Sequence, residues 1–191
     1  MKKRTAFVGA ILSLIPLGQP VFIKTGLLLA TTGAPIYFSE KVYAEDNSYY
    51  FNRAYDKAER GDHYGAISDY TKAIEINPND AKAYYNRGNS KDDLKDYYGA
   101  ISDYTKAIEI NPQYVKAYNN RAYVKRQINE YYGAIFDATK AIEIDPYYPY
   151  AYLNRGVAKK NIGDMRGACS DWREASYLGN KDTLKWVREE C

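Results

Sequence analysis

A chain of 191 residues with 27% charged side chains has room for one domain of ordinary size and a targeting segment besides. Its positive charge is concentrated at the start: residues 1–44 carry Lys2, Lys3, Arg4, Lys24 and Lys41 against one acid, Glu40, and the remainder is close to neutral. With no block of clustered cations to displace counterions from phosphates, nucleic-acid binding is excluded on composition.

Residues 1–44 read as a leader. Met1-Lys2-Lys3-Arg4 is a positive start, followed by an apolar run from Ala6 to Gly18. A second run, Val21 to Phe38, is interrupted by Lys24, Gly26, Gly33 and Pro35. Neither supplies the roughly 20 unbroken apolar residues of a comfortable membrane span. Val42-Tyr43-Ala44 ahead of Glu45-Asp46 suits a signal peptidase, so cleavage is expected after Ala44, with an uncleaved membrane anchor as the alternative. Either way the domain at 45–191 is expected outside the cytoplasm.

From residue 47 the chain repeats itself every 34 residues. Asn-Arg followed by Ala or Gly occurs at 52–54, 86–88, 120–122 and 154–156. Ala-Ile-Ser-Asp-Tyr at 66–70 returns at 100–104, then in altered form at 134–138 and 168–172. The units are 47–80, 81–114, 115–148 and 149–182. Each predicts a first helix (A), near 47–60, 81–94, 115–128 and 149–162, and a second (B), near 64–77, 98–111, 132–145 and 166–178. Acidic residues at the turns (Asp62, Asp96, Glu130, Asp164) are placed to cap or flank helix B. Asn77-Pro78, Asn111-Pro112 and Asp145-Pro146 end it, because the residue before proline is pushed out of the α region.

Small residues at unit positions 8 (Ala54, Gly88, Ala122, Gly156), 20 and 27 allow the paired helices to approach closely. Larger side chains fill positions 4 (Tyr50, Tyr84, Tyr118, Tyr152) and 24 (Tyr70, Tyr104, Trp172), where Ala138 is the one visible underpacking. The repeated acids fall at helical surface positions and read as a solvated charged face.

This pattern closely resembles the tetratricopeptide repeat (TPR) over residues 47–182: a small residue at position 8, Ala at 20 and 27, an aromatic at 4 and Pro at 32. It departs from the usual pattern at position 7, usually Leu, which is Arg53, Arg87, Arg121 and Arg155. Position 11, usually Tyr, is Lys57, Lys91, Lys125 and Lys159. The resemblance implies an all-α, right-handed solenoid of four helix–turn–helix repeats. Residues 181–190 look like the capping helix such an array needs, with Leu184, Trp186 or Val187 covering the last repeat.

No constellation for catalysis appears. His63 is the one histidine and reads as a solvated turn residue; without a second His or a Cys-x-x-Cys there is no ligand set for a metal, and no cofactor is expected. Cys169 takes the position held by Ile67, Ile101 and Ile135 in the other units. It is either a small buried hydrophobe or one half of a disulfide with Cys191, which an oxidising compartment permits.

The resemblance places helix A on a concave face, with positions 2, 5, 6, 9, 12 and 13 inward. Carried onto this sequence, position 6 gives a ladder of Asn52, Asn86, Asn120 and Asn154, able to hold a peptide backbone or to tie the helices together. Positions 5 and 9 add Phe51, Tyr85, Tyr55, Asn89 and Tyr123, and position 2 adds Lys116. TPR co-chaperones grip a C-terminal carboxylate with Lys, Asn, Asn, Lys and Arg drawn from three repeats. Here Asn86 and Lys116 match, but Phe51, Tyr55 and Asn120 stand at the other positions. Shifting one repeat along retains Asn89 and Asn120 and puts Tyr85, Tyr150 and Asn154 where cations are needed, so chaperone-tail binding is not expected. The leader and the many tyrosines also look similar to small exported TPR proteins of cyanobacteria. That likeness implies a periplasmic or thylakoid-lumen protein-binding scaffold, with assembly of membrane complexes as an extension by analogy. The alternative is a structural protein that associates only with itself.

Overall fold

The computed structural model describes residues 46–191; the leader at 1–44 and its cleavage point after Ala44 lie outside the described residues. Among the described residues there are nine helices and no strand. They are α1 (Asn47–Glu59), α2 (His63–Ile76), α3 (Ala81–Asp93), α4 (Tyr97–Ile110), α5 (Val115–Gln127), α6 (Tyr131–Ile144), α7 (Pro149–Asn161), α8 (Met165–Tyr177) and α9 (Thr183–Glu190). Odd-numbered helices up to α7 are the A helices. Each packs on its own B helix, each B helix packs on the next A helix, and α9 packs on α8, giving a tandem α-solenoid.

Local chemistry sets the element ends. Asn77, Asn111 and Asp145 take extended φ angles of −130°, −129° and −133° ahead of their prolines, which stops each B helix there. The A-to-B turns pass through a left-handed residue: Gly61, Lys95, Asn129 and Gly163. Asp62, Asp96 and Asp164 then cap the B helices by accepting from the backbone N–H of Gly65, Gly99 and Gly167. Glu130, one methylene longer, makes no such bond.

Packing between paired helices is balanced by size. A Cβ on Gly88 would lie 2.8 Å from the Tyr104 ring, and one on Gly156 would lie 2.5 Å from Trp172 Nε1. In repeats 2 and 4 the ring at position 24 thus lies against a position 8 with no side chain, whereas in repeat 1 Ala54 and Tyr70 are buried together. In repeat 3 both are alanine, and Ala122 and Ala138 are fully buried in one cluster with Ala134 and Ala158. Tyr131 and Ile135 pack against that cluster, so Ala138 sits in a matched small-on-small contact.

The repeated acids at position 23 are not a solvated face. Asp69, Asp103, Asp137 and Asp171 are buried, with 0–3% exposure. Each accepts a two-pronged bond from the arginine at position 7 of its own repeat. For Arg121 and Asp137 the distances are 2.9 Å from Nε and 2.6 Å from Nη2. Arg53, Arg87 and Arg155 repeat the geometry at 2.6–3.0 Å. The lysine at position 11 reaches the same carboxylate at 2.7–2.8 Å in all four repeats. The two departures from the usual TPR pattern are thus one device, a carboxylate clamped between two cations. Burying it alone would cost several kcal/mol; with both oxygens hydrogen-bonded to cations its charge is matched. The third edge of the guanidinium reaches back one repeat. Arg87, Arg121 and Arg155 donate from Nη1 to Thr71, Thr105 and Thr139 at 3.0, 2.9 and 3.3 Å. The ring at position 4 stacks under the guanidinium, 5.0–5.6 Å from its carbon.

This ladder is closed at both ends. Among the described residues no repeat precedes Arg53, and its Nη1 donates instead to the Tyr49 hydroxyl at 3.1 Å. In repeat 4 the threonine position holds Arg173, whose Nη2 donates to the backbone oxygen of Cys191 at 3.2 Å. The cap begins two residues after the expected 181, because Asn180 turns the chain and accepts from the backbone N–H groups of Asp182 and Thr183. Trp186 of α9 packs on Trp172 with ring centres 5.2 Å apart, while Leu184 stays largely exposed. Cys169 and Cys191 are joined as a disulfide, tying the last residue of the chain to α8.

Arg53 and Lys57 hold the Asp69 carboxyl down at about 2, against an ordinary 3.8, with the Arg53 hydrogen bonds the larger cause. The folded-state value lies below the unfolded one, so this stabilisation is complete above pH ~4 and is lost as pH falls toward ~2, a change of roughly 2 kcal/mol. The stability gap between the wild type and Asp69→Asn should narrow by that amount across this window in urea unfolding. A gap independent of pH would contradict the assignment.

Candidate functional site

Unit positions 2, 5, 6, 9, 12 and 13 fall on one face of each A helix, by the three-to-four-residue spacing of the α-helix. Hydrogen bonds join these faces into a wall. Asn120 Nδ2 donates to Asn89 Oδ1 at 3.0 Å and to the Tyr85 hydroxyl at 3.1 Å. Asn89 Oδ1 also accepts from the Tyr104 hydroxyl at 2.8 Å. Asn119 Nδ2 donates to Asn120 Oδ1 at 3.1 Å, and Asn154 Nδ2 donates to Asn119 Oδ1 at 2.8 Å. One amide network therefore runs across repeats 2, 3 and 4.

The position-6 asparagines divide accordingly. Asn120 and the buried Asn154 are engaged in holding repeats together, whereas Asn52 is exposed and Asn86 half-buried, and neither side chain makes a hydrogen bond. Asn89 belongs to the network. Tyr85 packs between Tyr114 and Tyr104, with ring centres 5.0 and 5.9 Å away, and burial pushes its phenol pKa up. Phe51 rests edge-on against Tyr70 at 5.6 Å. Tyr55 and Tyr123 remain 49% and 41% exposed, and Lys116 is exposed. Of the expected contact residues, then, Asn52, Asn86, Tyr55, Tyr123 and Lys116 have polar groups or ring surface to offer.

Two shallow clefts lie on the wall. One, of about 200 Å³, is lined by Asn47, Ser48, Phe51, Asn52, Asp80 and Lys82. The other, of about 260 Å³, lies against the cap and is lined by Val157, Lys160, Asn161, Trp172, Trp186 and Glu190. Both fall short of the usual 300–1,000 Å³ of a small-molecule site and suit single side chains.

Position 12 lies on the same face as the contact residues expected at positions 2, 5, 6 and 9. It holds Asp92 in repeat 2 and Arg126 in repeat 3, both half-buried. The sequence signal was available: the position changes sign between consecutive repeats. His63 also departs from expectation. It opens α2, and its Nδ1 is buried 3.5 Å from Asp93 Oδ2 of the next repeat, so it is an inter-repeat contact rather than a solvated turn residue. Among the described residues no group of three His, Cys, Asp or Glu side chains is placed to hold a metal ion.

Family profiles described as Tetratricopeptide repeat match residues 81–114 and 103–136, and one described as TPR repeat matches 54–91. The TPR domain of Arabidopsis OM64 is 30% identical at a TM-score of 0.55, over 56% of this chain and 91% of that domain. The chain belongs to the tetratricopeptide-repeat family. Its TPR fold is shared with MamA, at a TM-score of 0.69 and 24% identity over 75% of this chain and 84% of that one. It is shared as well with the first TPR of Spaghetti (RPAP3) bound to the HSP90 peptide SRMEEVD, at a TM-score of 0.61 and 22% identity over 65% and 99%. A comparison with curated proteins gave no match.

Within this TPR wall the amide network predicts unequal roles for identical residues. Asn120→Ala would strand the Asn119 amide and remove the donor from the Tyr85 hydroxyl, and should cost about 2 kcal/mol of stability. Asn52→Ala should stay within about 0.5 kcal/mol of wild type. Urea unfolding of both variants is the check, and equal losses would mean that the network is not load-sharing.

Proposed function

We propose that this TPR chain is an exported, non-catalytic scaffold that holds a peptide or protein segment along the wall of its A helices. The observation that carries the reading is the division of labour on that wall. Asn89, Asn120 and Asn154 fix the helices to one another, while Asn52, Asn86, Tyr55 and Tyr123 keep amide groups and ring faces available. A pre-organised surface of this kind binds without first being ordered, and tyrosine supplies contact area at low entropic cost. The export half of the proposal draws on the leader pattern and on the Cys169–Cys191 pair, which suits an oxidising compartment such as the periplasm or thylakoid lumen. In such a compartment, assisting the assembly of membrane complexes is a fitting role.

Self-association is the second reading. Stacking end to end is disfavoured, because the clamp ladder is closed by Tyr49 at one end and by Arg173 and α9 at the other. What favours self-association is a different feature, the row of exposed Tyr64, Tyr98 and Tyr132 at position 18 of the B helices.

One experiment separates the two. A photo-crosslinking amino acid is placed at Tyr123 on the A-helix wall, or at Tyr98 on the B helices, in the native host. Adducts with another protein from position 123, lost on Asn86→Ala/Tyr55→Ala, are the expected result. Adducts of the chain with itself alone, formed from position 98, would replace this reading with the structural one.

A further inference from the structure

Charge is unevenly distributed along the A-helix wall, although the repeat region as a whole is close to neutral. At the inward positions of repeats 1 and 2 stand three acids, Glu59, Asp92 and Asp93, against one cation, Lys82. At the same positions of repeats 3 and 4 stand Lys116, Arg126 and Lys160 and no acid; only Glu190 of the cap helix, bonded to Lys160, offsets them. The change of sign falls between Asp92 and Arg126, which hold the same unit position in adjacent repeats.

These two groups are unusual in a second way. Among the described residues, every other half-buried Asp, Arg or Lys side chain has an ion pair or a hydrogen bond; Asp92 and Arg126 have neither. They are not within 4 Å of one another. Arg126 lies over the Tyr123 ring, 5.4 Å from its centre. Burial lowers the Arg126 pKa, and burial together with neighbouring Asp93 raises the Asp92 carboxyl to about 6. Each group is held in a setting that disfavours its own charge, which an incoming opposite charge would relieve.

We propose that Asp92 and Arg126 form a two-pole receptor on the wall, for a peptide segment with a basic side chain at one end and an acidic side chain a short distance along. The basic end lies over repeat 2, beside Asp92 and Asp93, and the acidic end over repeat 3, beside Arg126 and Tyr123. Tyr123 supplies a ring face next to the acidic subsite. The arrangement fixes the direction in which the segment runs, because reversing it sets like charges together at both ends. It needs no chain terminus, unlike a carboxylate grip on a peptide tail. The proposal rests on the reading of the A-helix wall as a peptide-binding face and adds the chemistry and direction of the ligand.

The test uses the full chain and three synthetic peptides with blocked termini and a common aromatic centre: one with lysines first and glutamates last, one reversed, and one with the charges shuffled. Fluorescence anisotropy gives the affinities, and circular dichroism confirms that each variant is folded. One of the two ordered peptides is expected to bind about fivefold more tightly than the others. Asp92→Asn and Arg126→Gln should each erode that preference, and the exchanged variant Asp92→Arg/Arg126→Asp should favour the opposite order. Equal binding of all three peptides would overturn the two-pole receptor and leave a charge-blind peptide wall standing. No binding by any of them would remove both readings. An oligomer of the chain alone that dissolves in Asp92→Asn/Arg126→Gln would assign the pair to a second copy and likewise overturn the proposal.

Discussion

A carboxylate buried between two helices is tolerable only if its charge is met, and most of this structure follows from how the chain meets it. Each repeat sinks one aspartate at position 23 and surrounds it with an arginine fork and a lysine from helix A. This fixes the rotation and the height of A against B within the repeat, because a two-pronged bond is intolerant of sliding. The same guanidinium then reaches the threonine of the preceding repeat, so the internal clamp also sets the spacing of the array. Hydrophobic contacts fill the volume around it, and alanine on alanine and glycine on ring set how closely the helices approach. The charged contact is the one that specifies register.

This device also explains how the array ends. A repeat without a preceding neighbour would leave a guanidinium edge unmatched. The first repeat resolves this with Tyr49, and the last replaces the threonine with Arg173 and turns it toward the chain terminus. The cap helix, its tryptophan pair and the disulfide follow in the space where a fifth repeat would stack.

Much of the fold was legible in the sequence because it is periodic. The 34-residue step, the Asn-Pro stops and the small residues at fixed offsets each have a local physical cause and recur often enough to be read together. The clamp was visible as a spelling, Arg at 7 and Lys at 11, but not as a mechanism. Asp at position 23 falls on a stretch whose other polar residues face solvent, and periodicity cannot say which polar residue is turned inward. The binding face was legible only in part. Four asparagines identical in sequence, Asn52, Asn86, Asn120 and Asn154, separate into free and engaged groups because their neighbours differ from repeat to repeat. Asn89 and Asn119 are present beside some and absent beside others. Asp92 and Arg126 were missed because neither repeats; what marks them is a break in the pattern, and breaks without structural cause are where function is expected.

The central claim is that the clamp, rather than hydrophobic fit alone, holds the repeats in register. A double-mutant cycle on Arg121 and Asp137, using Arg121→Met, Asp137→Asn and the pair together, tests it most directly by urea unfolding. Asp137 is fully buried and its arginine nearly so, and the account predicts a coupling energy of about 2 kcal/mol or more between them. A coupling near zero, with the two losses simply adding, would show that the ion pair is incidental to a register fixed by apolar packing.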